Sequence, residues 1–172
     1  MRSCSRHRHA FSLVEAVIST LIVAGLLVAS LSVVSQGARV RLTNQMRLDG
    51  LRYTEILLAK VQSLPYDDPN DTPILGIEVG DVTATPATYD DVDDFNGYQE
   101  TPPTDAAWQA MPVASRWKMS VSVTYVDPDA NYAVAATDTG VKKITVVASS
   151  GDKPYATLWT IRTRAWDTAN TP

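Results

Sequence analysis

One carboxylate, Glu15, stands inside an otherwise uncharged apolar run over residues 11–34, FSLVEAVISTLIVAGLLVASLSVV. A carboxylate at mid-bilayer costs on the order of 2.5–3.5 kcal/mol, less near the edge, so one retained in a membrane-crossing run marks a functional position. The chemistry open to it is ion pairing, since an amine one turn away, in the same chain or a neighbour, offsets two burial penalties at once. Read only as a helix start, the same acid interacts well with the helix dipole. Two acidic clusters follow. In Asp90, Asp91, Asp93 and Asp94 like charges repel unless a cation, an arginine from elsewhere in the fold or solvent offsets them. In the second, Asp127, Asp129 and Asn131 alternate oxygen side chains and Asp138 falls at the twelfth position, the spacing of a calcium loop. Tyr132 stands where such a loop needs glycine, and a turn between strands is the stronger reading.

The missing residue types exclude more than the present ones suggest. His7, His9 and Cys4 all precede the apolar run, and neither type recurs. Beyond residue 10 there is therefore no Ser-His or Cys-His pair, no nitrogen or sulfur zinc site and no internal disulfide. Carboxylate pairs remain, but aspartates in a Pro- and Thr-rich stretch read first as solvated surface, so no enzymatic activity is expected. No cofactor is expected either, calcium being the one ion that the acidic clusters suit. Residues 61–115 hold no Lys or Arg and many acids. That surface repels nucleic acid, whose binding depends on cations that neutralise phosphates.

The elements that position these residues follow from patterning. An apolar run longer than about 18 residues reads as a membrane-crossing helix. Arg2, Arg6 and Arg8 in the leader, residues 1–10, keep the N-terminus cytoplasmic by the positive-inside rule. The helix signal runs over 11–38 and continues as an amphipathic helix over 39–64. There Leu42, Met46, Tyr53, Leu57 and Leu64 share a stripe, flanked by Ile56 and Val61, that can pack on a sheet. Gly37 and Gly50 mark places where the helix could bend, and Pro65 ends it. Residues 65–115 read as a long irregular, acidic connection. Residues 116–166 read as an antiparallel sheet of three or four strands, around 117–125, 143–148 and 156–164, with a hairpin turn at Ser-Gly-Asp. Residues 167–172 form a tail. The fold class is α+β, a long N-terminal helix packed on a C-terminal antiparallel meander.

A basic leader, a small residue and then Phe11-Ser12-Leu13-Val14-Glu15 opening a long apolar helix resemble the precursor of a type IV pilin, most like a minor pilin or pseudopilin. Ala10 stands where that family usually has glycine. The resemblance implies cleavage between Ala10 and Phe11 by a prepilin peptidase, methylation of the new terminus at Phe11, and a role for Glu15 in recruitment and assembly. It implies a structural subunit of a type IV pilus or type II secretion pseudopilus, held in an inner membrane with its C-terminal part in the periplasm until assembly. Its partners would be other pilins, the assembly platform and its motor ATPase. Because some pseudopilins carry calcium in their loop region, the resemblance adds weight to the cluster at Asp90 to Asp94. The competing reading is a single-pass anchored periplasmic binding or adhesion domain that keeps its leader.

Overall fold

The computed structural model describes residues 12–68, 75–77 and 85–170, in an α+β arrangement. Helix α1 runs unbroken over Leu13–Gln62. Among the described residues five strands follow: β1 (Gln99–Glu100), β2 (Trp117–Asp127), β3 (Ala133–Val134), β4 (Val141–Ser150) and β5 (Lys153–Thr163), before the short helix α2 (Arg164–Asn170). The chain divides into two compact units, Met1–Asn44 and Gln45–Pro172.

In the first unit, the described residues form the N-terminal turns of α1. Leu13, Val17, Leu21, Leu26, Leu31 and Val34 are all exposed, and so are the residues between them, so the helix is apolar all round. A helix of that kind is stable where water is absent, in a core or a membrane. Its 18-residue window of mean hydropathy 2.5 has no residue buried within the protein, so the helix is long and apolar enough to cross a membrane.

In the second unit, the later turns of α1 bury Met46, Gly50, Thr54, Leu57 and Val61, spaced three and four apart so that they share one face. That face meets the inward positions of the sheet, where β2 contributes Trp117, Met119, Val121 and Val123 and β4 contributes Ile144, Val146 and Ala148. Side chains alternate across a strand, and in β4 burial accordingly falls on every second residue. The sheet is antiparallel in the order β1-β2-β4-β5, with β3 on the far end of β2. Gly151, at φ 59°, opens the two-residue turn between β4 and β5, a position that needs positive φ.

Several expectations require correction. Leu42 is exposed, whereas Gly50 and Thr54, outside the expected stripe, are buried. Gly50 marks a contact and no bend: a Cβ there would lie 3.2 Å from the Trp117 ring and from the Ala156 side chain. The strands are longer than the alternation suggests, and residues 167–170 of the expected tail belong to α2. The described parts of 65–115 carry short 3-10 turns and β1, which pairs with Ser120 and Met119 of β2.

Candidate functional site

At the helix start, Ser12 Oγ accepts the Glu15 backbone N–H at 3.1 Å. This satisfies one of the donors that every helix leaves unpaired at its first turn. Ser12 and Glu15 thus occupy the cap and third positions of a capping-box sequence. The Glu15 side chain is exposed and pairs with no cation among the described residues. Further along, the Thr20, Ser30, Ser32 and Ser35 hydroxyls donate to the carbonyls of Val17, Leu26, Val28 and Leu31 at 2.8–2.9 Å. Hydroxyls satisfied by their own helix suit an apolar medium, where an unpaired polar group costs several kcal/mol. Ala10 and Phe11 lie outside the described residues.

The acidic cluster departs from the expectation of solvated aspartates. Asp91, Asp93 and Asp94 are only 1–2% exposed. Aromatic packing holds them there. Phe95 follows directly, its ring edge-on to Tyr89 and Tyr98 and stacked on Trp108. Val92 N–H donates to the Pro65 carbonyl, and Gly97 and Tyr98 exchange hydrogen bonds with Val121 of β2. Asp91 Oδ1 accepts the N–H groups of Asp93 and Asp94 at 2.6 and 3.1 Å, closing the turn.

The cation that offsets this cluster is Lys142. Its Nζ lies 2.7 Å from Asp93 Oδ2, and the two side chains are 0% and 1% exposed. The ammonium also donates to the Tyr66 carbonyl and sits 3.9 Å from the centre of the Tyr66 ring. Burial raises Asp93 above the usual carboxylate range, with Lys142 opposing. Burial together with the Asp93 charge pushes Asp91 up to about 6, against the pull of the Asp94 and Asp93 N–H groups and of Lys142.

Tyr66, fully buried, joins this pair to a second network. The Arg164 guanidinium lies 4.8 Å from the centre of the same ring. Its hydroxyl donates to Asp138 Oδ1 at 2.5 Å, while Arg164 donates to Asp138 and, with two nitrogens, to Asp67 at 2.6 and 2.8 Å. Burial works against the Asp138 charge, but the Tyr66 hydroxyl, the Gly140 N–H and Arg164 hold it below the ordinary value. A third cation, Lys60, donates to Thr104 at 2.7 Å and covers the Trp108 ring at 3.8 Å. Thr104 in turn donates to Glu100. The segment without cations of its own is therefore tied to Lys60 of α1, Lys142 of β4 and Arg164 of α2.

The calcium expectation finds no assembled ligand set: among the described residues no three His, Cys, Asp or Glu side chains are grouped as a metal would need. The Asp127 carboxylate closes its own turn on the Asp129 N–H, Asn131 takes a positive φ of 54° at the turn, and Asp138 is held by Tyr66 and Arg164. Sequence reasoning missed Lys142, Tyr66 and Arg164. The parity of Ile144, Val146 and Ala148 already placed Lys142 on the inward face of β4, a signal that was available.

Compared with protein-family models, curated proteins and solved structures, the chain matches none.

Proposed function

We propose that this chain is a pilin-like structural subunit, a minor pilin or pseudopilin of a type IV pilus or type II secretion pseudopilus. The observation that supports it is α1, whose first turns are apolar on every side, satisfy their own hydroxyls and carry a single carboxylate near the start. Held in an inner membrane by that helix, the subunit would be cleaved before Phe11 by a prepilin peptidase and methylated there. It would then be drawn into a filament by an assembly platform and motor ATPase. In the filament Glu15 would pair with the amine of Phe11, its own or a neighbour's, which offsets two burial costs in one contact. The part in the periplasm binds other pilins and has no catalytic task.

N-terminal mass spectrometry of protein taken from its native membrane tests this directly. The expected terminus is N-methylated Phe11; an intact leader from Met1 would overturn the reading. One observation favours the alternative of a plain single-pass anchor. The Ser12 cap makes Glu15 a good first-turn residue without any assembly role, and that reading predicts a retained leader.

A further inference from the structure

Lys142 and Asp93, far apart in sequence, meet where neither side chain reaches water, with Nζ and Oδ2 2.7 Å apart. Around the ammonium stand the Tyr66 carbonyl and the ring faces of Tyr66 and, at 6.0 Å, Tyr125. Val92 and Phe95, both fully buried, stand one residue before and two residues after Asp93. The second carboxylate oxygen, Asp93 Oδ1, is buried and has no hydrogen-bond partner among the described residues. A buried ion pair is held well only when its remaining lone pairs are satisfied, and here one oxygen is not. Transfer of one proton across the contact leaves a neutral amine against a neutral carboxylic acid and removes both buried charges. The attacking nitrogen then already touches one oxygen of the carbon it must reach, in surroundings that exclude bulk water.

We propose that Lys142 and Asp93 condense into an intramolecular isopeptide bond that fastens the acidic segment to β4. The Nζ lone pair adds to Asp93 Cγ and the carbonyl π pair moves to oxygen, giving a tetrahedral centre. The nitrogen gives up a proton, the hydroxyl leaving from Cγ gains one, and the C–O bond breaks as the carbonyl reforms. Ammonium and carboxylate become amide and water, with no oxidant, reductant or activating group required. Asp91, fixed by the N–H groups of Asp93 and Asp94, is the neighbouring carboxyl that relays the proton from nitrogen to the leaving oxygen. Condensation removes one of two buried oxygens as well as the charges. It also supplies a covalent staple to a chain whose sole cysteine is Cys4. The proposal is independent of the pilin reading.

Tryptic mapping of the full chain, extracted in detergent, reads the bond. With no Lys or Arg in 61–115, trypsin releases Asp93 on the peptide 61–116. The expected product is that peptide joined to 119–143, uncut at Lys142 and lighter than the two together by one water. Free 61–116 with complete cleavage after Lys142 would overturn the proposal. Asp93→Ala and Lys142→Met should each abolish the joined species, and its persistence in either would assign the link to other residues. Asp91→Asn keeps an acceptor for the two N–H groups, so the expected result is a folded protein whose linked fraction drops sharply. An unchanged fraction would remove the relay role from Asp91.

Discussion

The two units treat a carboxylate among apolar groups in opposite ways. In the second unit Asp93 is deeply buried and the same chain supplies its cation, Lys142, from a strand far away in sequence. In the first unit Glu15 sits in an apolar helix and no described residue offers it a cation. A chain that matches a buried acid in one region and leaves an exposed one without a cation in another has, on the pilin reading, left the match to a terminus created by cleavage or to a neighbouring subunit. On that reading the comparison separates acids that serve this fold from one that serves an assembly.

The largest expected effect falls on the matched acid. Lys142→Met removes the ion pair, together with any bond made from it, and leaves Asp93 buried without a partner, which costs about 3–5 kcal/mol for the ion pair alone. Because the second unit has its own core, a fragment beginning at Arg39 is expected to fold on its own, and urea unfolding of that fragment followed by circular dichroism measures the loss. A change below about 1 kcal/mol, the range of exposed ion pairs, would break the comparison, because Asp93 would then be no more dependent on its partner than a surface acid.

Glu15→Leu probes the unmatched acid. On the pilin reading the mutant still inserts and is still processed, yet it leaves the Phe11 amine unpaired in the filament core, again at about 3–5 kcal/mol. Crosslinking to partner pilins should then fall away while the membrane-bound pool persists. A plain anchor predicts the reverse sign, since removing the carboxylate eases insertion. Unchanged incorporation would reduce Glu15 to a helix-start residue beside the Ser12 cap.

What the sequence made legible divides along the same line. The apolar run, the three long strands and the break at Pro65 announce themselves through composition and period, because each is a local property. The matching of the acids is not local. Nothing within 61–115 says that its polar and charged groups are met by Lys60, Lys142 and Arg164, since those partners come from three other elements. The single hint was the inward parity of Lys142 on β4. Gly50 was misread for a related reason: a glycine that admits a tryptophan ring and one that bends a helix look alike until the opposing strand is in place.

A smaller effect follows from Asp91. Its pKa, near 3.8 in the unfolded chain, is pushed up to about 6 in the fold. The folded state therefore holds this proton more tightly, so the group adds no penalty below 3.8. A penalty then grows as pH rises from 3.8 to about 6 and is complete above it. For a carboxyl this well shielded from solvent, a rise of that size corresponds to roughly 2–3 kcal/mol. The fragment from Arg39 is expected to gain stability as pH falls from about 7 to about 5, and Asp91→Asn should flatten that slope. Asp138, held below its ordinary value, loses its contribution only at still lower pH, so the two effects occupy different windows. An unchanged slope in Asp91→Asn would assign the pH dependence to another group.

The finest contrast uses the two glycines of α1 that flank the boundary between the units. A Cβ at Gly50 would lie 3.2 Å from both the Trp117 ring and the Ala156 side chain, whereas one at Gly37 meets nothing within 4 Å. Gly50→Val adds branched volume to a packed contact, and overpacking of this kind costs about 1–3 kcal/mol. The same unfolding measurement should show it, with Trp117 fluorescence reporting the displaced ring. Gly37→Ala instead replaces a poor helix former in open surroundings, a local gain of up to about 1 kcal/mol. In the full chain it should leave unfolding of the second unit unchanged, because Gly37 belongs to the first. Should Gly37→Ala spare that unit but weaken crosslinking to partner pilins, the close approach that Gly50 provides within the chain would have its counterpart between subunits at Gly37. Equal losses at both glycines in the unfolding assay would instead join the two regions into a single cooperative unit, and the contrast between them would fail.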